Sequence, residues 1–189
     1  MPIILASASP RRRELLERAG MPFEVVVSPA EEIHDASIPP DRLCEMNATL
    51  KAEAIAAVRP DATVIGADTL VFIDGEPLGK PADPEEARAM LRRLAGRAHN
   101  VCTGVCVIFP GGRQCVFHDT TEVTFLPLDD AAIEDYLTVA NPLDKAGAYG
   151  IQEHGGRIIA GIRGSYENVM GLPVEMVVRA LETPSRSPA

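Results

Sequence analysis

The 189-residue chain has no CxxC pair, no apolar run near the roughly 20 residues that span a bilayer, and no excess of positive charge. Each absence removes a class of function. Four cysteines stand apart at 44, 102, 106 and 115, so neither a zinc ribbon nor a dithiol redox centre is written here. A disulfide framework is not expected either, because no signal peptide is read at the start of the chain. Histidines 34, 99, 118 and 154 show no metal-ligand spacing. With 27 acidic against 18 basic residues the net charge is −9. General nucleic-acid binding needs a broad basic face, and this composition argues against it. A small anion needs only a local positive pocket and stays possible. GxGxxG, Walker A and GxSxG patterns are missing.

What remains is a globular composition, 46% hydrophobic and 24% charged. The length suits one domain, or two small lobes around a cleft. The expectation is a soluble cytoplasmic protein that meets neither membrane nor nucleic acid.

Along the chain, "PIILAS" reads as a strand over 3–7 and "PRRRELLERA" as a helix over 10–19. Ser9 is a good N-cap, Pro10 fits the first helical turn, and Gly20 ends the helix. "FEVVV", 23–27, predicts a second strand, and a polar loop with prolines follows. A helix is predicted over about 42–58, stopped by Pro60. "ATVIGADTLVFI" predicts a buried strand interrupted near Gly66–Thr69. Asp74-Gly75 is a turn signal. "DPEEARAMLRRLAG" has acids at its start and arginines near its end, as the helix dipole favours. Segments 98–109 and 114–126, joined by "PGGR", read as a hairpin. Another helix follows from Leu128, then a glycine-rich loop, a short strand "RIIAGIRG", and a helical stretch broken at Gly171–Pro173. The tail 183–189 is expected to fray. Helices and strands alternate around a central hairpin, which predicts an α/β fold with a mixed twisted sheet and flanking helices.

Three features carry chemistry. Arg11, Arg12 and Arg13 crowd a helix N-terminus, where a cation is unfavourable by about 0.3–1 kcal/mol. Either this is a solvated charge run, or the forked guanidiniums and free backbone N–H groups hold phosphate. Successive side chains fan by about 100°, so the three cannot all face one site, and Arg13 is the one to leave in solvent. Asp68 breaks an apolar strand: it either caps a turn, or binds metal or activates water. The loop "DKAGAYGIQ", 144–152, is either a tight surface loop or a small-residue cradle in which Gln152 meets a nucleobase edge. Lys51, Lys80 and the Glu31-Glu32 pair are ordinarily exposed residues. Together with the rest they would suit metal-assisted attack on a phosphoanhydride.

The stretches "LASASPRRRELL", "EEIHD", "LKAEAIA", "VIGADTLV", "LGKP", "NPLDKAGAYGIQ" and "GSYENVMGLP" resemble, in order, the motifs of Maf proteins, to about residue 181. The resemblance implies a single catalytic domain, 1–182, with an elongated two-lobed fold around a cleft, often dimeric. It implies a nucleoside triphosphate pyrophosphatase using magnesium or manganese. Carried across by motif, Asp68 is the proton acceptor. Ser7, Arg11 and Arg12 contact phosphates with help from Lys51 and Lys80. Glu32 and Asp68 face the metal, and Arg11, Thr69 and Gln152 bear on substrate choice. "AGAYGIQ" points to the dTTP/UTP branch. The alternatives are 7-methyl-GTP or broad specificity, or a non-catalytic regulator of septum formation. One run departs from the pattern: "MNA", 46–48, stands where the family often has "RLA".

Overall fold

The computed structural model describes residues 1–182, so the tail expected to fray lies outside the described residues. Three strands open the sheet in parallel: β1 (Ile3–Leu5), β2 (Glu24–Val25) and β3 (Thr63–Ile73). β4 (Glu76–Leu78), β5 (Ala98–Ile108), β6 (Gln114–Phe125) and β7 (Ile159–Arg163) add antiparallel pairs. The order is β2-β1-β3-β5-β6-β7, with β4 also on β3. The helices are α1 (Pro10–Arg18), α2 (Pro40–Ala56), α3 (Pro84–Leu94), α4 (Asp130–Val139), α5 (Tyr166–Met170) and α6 (Val174–Glu182). This is the mixed α/β sheet with flanking helices that the alternation predicts. Among the described residues no helix is long and apolar enough to cross a membrane.

β3 organises the molecule. β5 covers one of its edges from Val64 to Phe72. The other edge is shared: β1 pairs with Thr63–Ile65, β4 with Val71–Ile73, and neither reaches Gly66–Leu70. Ala6 N–H donates to Ile65 O at 2.8 Å, so the alternation of a strand turns the backbone of Ala67 and Thr69 toward this open edge.

The predicted interruption near Gly66–Thr69 is not there. β3 runs unbroken, and Asp68 sits in mid-strand rather than at a turn. Gly66 is required for another reason. A Cβ on it would lie 2.2 Å from Ala48 O, and one on Gly104, across the ladder, 2.5 Å from Cys44 O. The two glycines let α2 lie directly on the β3–β5 ladder, its small residues Cys44, Ala48 and Ala52 at four-residue spacing against the sheet.

On the opposite face the residues of β3 serve two cores. Ile65 and Ala67 pack with Leu15, Leu16, Met170 and Leu172. Val71 and Ile73 pack with Leu91, Phe125, Tyr136 and Tyr149. Thr69 falls at the seam, hydrogen-bonded at 2.9 Å to Thr103 of β5. Other boundaries moved modestly. The strand expected over 23–27 pairs only at Glu24–Val25, because β1 offers no partner beyond Leu5. α2 begins at Pro40, two residues before Arg42, since proline is well placed in a first turn. The break at Gly171 is a left-handed cap that separates α5 from α6.

Candidate functional site

The open edge of β3 is the floor of a cleft of about 880 Å³. Ser7, Arg11, Arg12, Glu32, Lys51, Asp68, Thr69, Lys80 and Gln152 all line it. These nine residues named from the sequence are therefore brought together, whereas Glu31, which is exposed, and Arg13 are not on the lining.

α2 supplies the first wall. Asn47 and Lys51 lie one turn apart and both reach Asp68, which is 6% exposed. Lys51 Nζ donates to Asp68 Oδ1 at 2.7 Å and pairs with Glu32 Oε1 at 2.6 Å. One ammonium thus joins two carboxylates. Burial pushes the Glu32 carboxyl up, but the bond and charge of Lys51 and the charge of Lys80 outweigh it, and the carboxyl is held below its ordinary value. Lys80 itself is exposed at the rim. The remaining oxygen of Asp68 accepts from Asn47 Nδ2 at 3.2 Å.

α1 supplies the second wall, and it sorts the three arginines. Ser9 caps the helix, its side chain accepting from Arg12 N–H. Arg12 is buried and forked: Nε donates to Gly171 O at 2.7 Å, one terminal nitrogen to Ser7 Oγ at 3.2 Å, the other to Thr69 Oγ1 at 2.9 Å. Burial lowers its pKa from the ordinary value while Asp68 opposes the shift. Arg11 reaches across the cleft to Asp144 at 3.2 Å. Arg13 points away and pairs with Glu17 on the solvent side, as the fan predicts.

The loop after α4 closes the third side, and it is not a surface loop. Gly147, Ala148, Tyr149 and Gly150 are buried. Lys145, 3% exposed, anchors it by donating to Asn141 O at 2.6 Å and pairing with Asp144 at 2.7 Å and Glu153 at 2.9 Å. A Cβ on Gly150 would lie 2.8 Å from Lys145 Cε, so the loop folds tightly over that stem. Tyr149 OH meets His99 Nε2 at 2.7 Å in the core behind. Gln152 Oε1 is buried with no hydrogen-bond partner among the described residues, an acceptor that a ligand donor would satisfy.

Sequence reasoning missed Asn47 and Lys145. Lys145 had a signal, since it lies in the glycine-rich loop beside Asp144. Asn47 lies in "MNA", the one run that departs from the motif pattern, but an asparagine inside a helix announces no role without its tertiary partners.

Carboxylate oxygens are magnesium-type donors, and magnesium is commonly held by one or two carboxylates plus substrate phosphates. Asp68 and Glu32, joined by Lys51, fit that pattern. Among the described residues no cluster of three or more His, Cys, Asp or Glu would hold a metal alone.

The sequence profile described as "Maf-like protein" matches residues 2–184. A dTTP/UTP pyrophosphatase of Akkermansia muciniphila is 54% identical over 180 residues, covering 95% of both chains. One of Bacillus velezensis is 49% identical over 180 residues, again covering 95% of both. Among solved structures, the Staphylococcus aureus Ham1 protein aligns with a TM-score of 0.55 at 17% identity, over 98% of this chain and all of that one, and so shares the fold.

Proposed function

The chain belongs to the Maf-like proteins, and from that membership we propose that it is a nucleoside triphosphate pyrophosphatase acting on dTTP and UTP. The observation that carries the reading is one cleft in which a buried carboxylate, Asp68, bonded to Lys51, lies with Arg11, Arg12 and Lys80. The cations hold the triphosphate, and the N-terminus of α1 adds its free N–H groups. Water attacks the α-phosphorus, its proton passes to Asp68, the bond to the bridging oxygen breaks, and pyrophosphate leaves. In the free protein Lys51 occupies Asp68 Oδ1. A polyphosphate competes for that ammonium and so releases the base when substrate is present. A divalent metal, magnesium or manganese, would be held by Asp68 and Glu32 and would neutralise charge on the phosphates. Gln152 Oε1 suits the single N–H on the pairing edge of thymine or uracil, which explains why an acceptor is left open there.

The test is pyrophosphate release from dTTP, UTP, CTP, GTP and 7-methyl-GTP with magnesium or manganese, with orthophosphate assayed in parallel. Pyrophosphate chiefly from dTTP and UTP is expected. Release mainly from 7-methyl-GTP would overturn the substrate and keep the reaction. No release from any of them would favour a non-catalytic regulator.

A further inference from the structure

Resting on the pyrophosphatase reading, we infer that Asn47 is a positioning residue that fixes Asp68 and the segment bearing Glu32 in one register. The residue is 2% exposed, and its amide makes three hydrogen bonds that use both of its donors. Oδ1 accepts from Ile33 N–H at 2.8 Å. Nδ2 donates to Ile33 O at 3.2 Å and to Asp68 Oδ2 at 3.2 Å. The orientation is not free, because Ile33 N–H needs the acceptor, so the amide nitrogen must face Asp68. Ile33 directly follows Glu32. Asn47 therefore clamps the exposed Glu32 segment by a two-point backbone pairing while it holds the base from the side opposite Lys51.

The pairing has a geometric consequence. Lys51 contacts both acids through a flexible four-carbon stem, which tolerates their drift. Asn47 has a short stem on a helix locked to the sheet at Gly66 and Gly104, so it cannot follow a wandering carboxylate. The rotation of Asp68 is set by the rigid partner, and attack on phosphorus is sensitive to that rotation. The main triphosphate grip runs through Ser7, Arg11 and Arg12, and Asn47 bonds to none of them.

Two variants separate positioning from simple anchoring. Asn47→Leu removes all three bonds at similar volume and restores the leucine of the "RLA" pattern, so a loss of kcat in it would show that this chain has come to depend on the clamp. Asn47→Asp keeps the acceptor for Ile33 N–H but sets a carboxylate against Asp68 Oδ2, where repulsion turns the base. For both, kcat on dTTP should fall roughly tenfold to a hundredfold with KM held within about threefold. Asn47→Asp should be the slower enzyme although it retains more of the Ile33 contact. Melting temperatures read in parallel should not follow that order. An Asn47→Asp variant faster than Asn47→Leu, with kcat tracking melting temperature, would make Asn47 an anchor only and overturn the inference. So would wild-type kcat in Asn47→Leu. Wild-type protein that releases no pyrophosphate would instead overturn the pyrophosphatase reading on which the inference rests. If Asn47→Leu fails to fold, Asn47→Asp with its KM-against-kcat split decides alone.

Discussion

Arg12 and Arg13 are adjacent in sequence and opposite in consequence. Arg12 is buried, and truncation leaves Gly171 O and two hydroxyls short of a donor. Arg12→Ala should cost about 2–4 kcal/mol in urea unfolding and raise KM for dTTP at least tenfold. Arg12→Lys restores charge but not the fork, and should recover little. Arg13→Ala loses only an exposed pair with Glu17 and should leave both the melting temperature and turnover unchanged. Asp68→Asn should lower kcat by roughly 10²–10⁴-fold while dTTP still raises the melting temperature, since Ser7, Arg11 and Arg12 remain to hold phosphate. Near-normal turnover in that variant would remove Asp68 from the role of base.

At the scale of elements, the decisive fit is α2 on the β3–β5 ladder. Gly104→Ala puts a methyl 2.4 Å from the Cys44 carbonyl carbon, where only backbone could yield. The helix must lift, at about 1–3 kcal/mol. Activity should suffer more than stability, because Lys51 and Asn47 ride on that helix. Gly156→Ala, with nothing within 4 Å of the added carbon, is the matched control and should change neither melting temperature nor kcat. The same fit explains what sequence could and could not say. Apolar runs and caps placed the strands and helices, down to the left-handed stop at Gly171. Gly66, however, reads equally as a break or as room for a neighbour, and only the helix lying across it decides. Asp68 stood out as a carboxylate inside an apolar run. Asn47, 21 residues away, became visible only when α2 had been laid against β3.

For the whole molecule, acid stability turns on His99. Burial lowers its pKa from 6.5 to about 4, with Nε2 against Tyr149 and Nδ1 without a hydrogen-bond partner among the described residues. Above pH 6.5 both folded and unfolded chains hold it neutral, and its contribution is complete. Between about 6.5 and 4 the unfolded chain takes a proton that the fold refuses, so stability falls with pH by up to ~3 kcal/mol. His118 acts in the opposite sense. Its bond to Glu45 raises its pKa, so its smaller, partly exposed contribution is present at low pH and lost as pH rises. The difference between wild type and His99→Gln isolates the buried ring: melting temperatures at pH 7 and pH 5 should diverge for wild type and draw together in the variant.

The bond from Arg12 to Gly171 spans 159 residues and that from Arg11 to Asp144 spans 133. Synthesis runs in one direction, and these distances are also delays. The ladder of β3, β5 and β6 can assemble on an emerging chain, but the wall that α1 supplies is not tied down at Arg12 until α5 and its glycine cap have left the ribosome. A chain stalled before that point carries the base, its lysine and the arginines of α1, but Arg12 still lacks the Gly171 carbonyl that orients its fork. Refolding should show the same lag: secondary structure should return before the capacity to bind nucleotide, because the contacts that close the cleft span the longest loops.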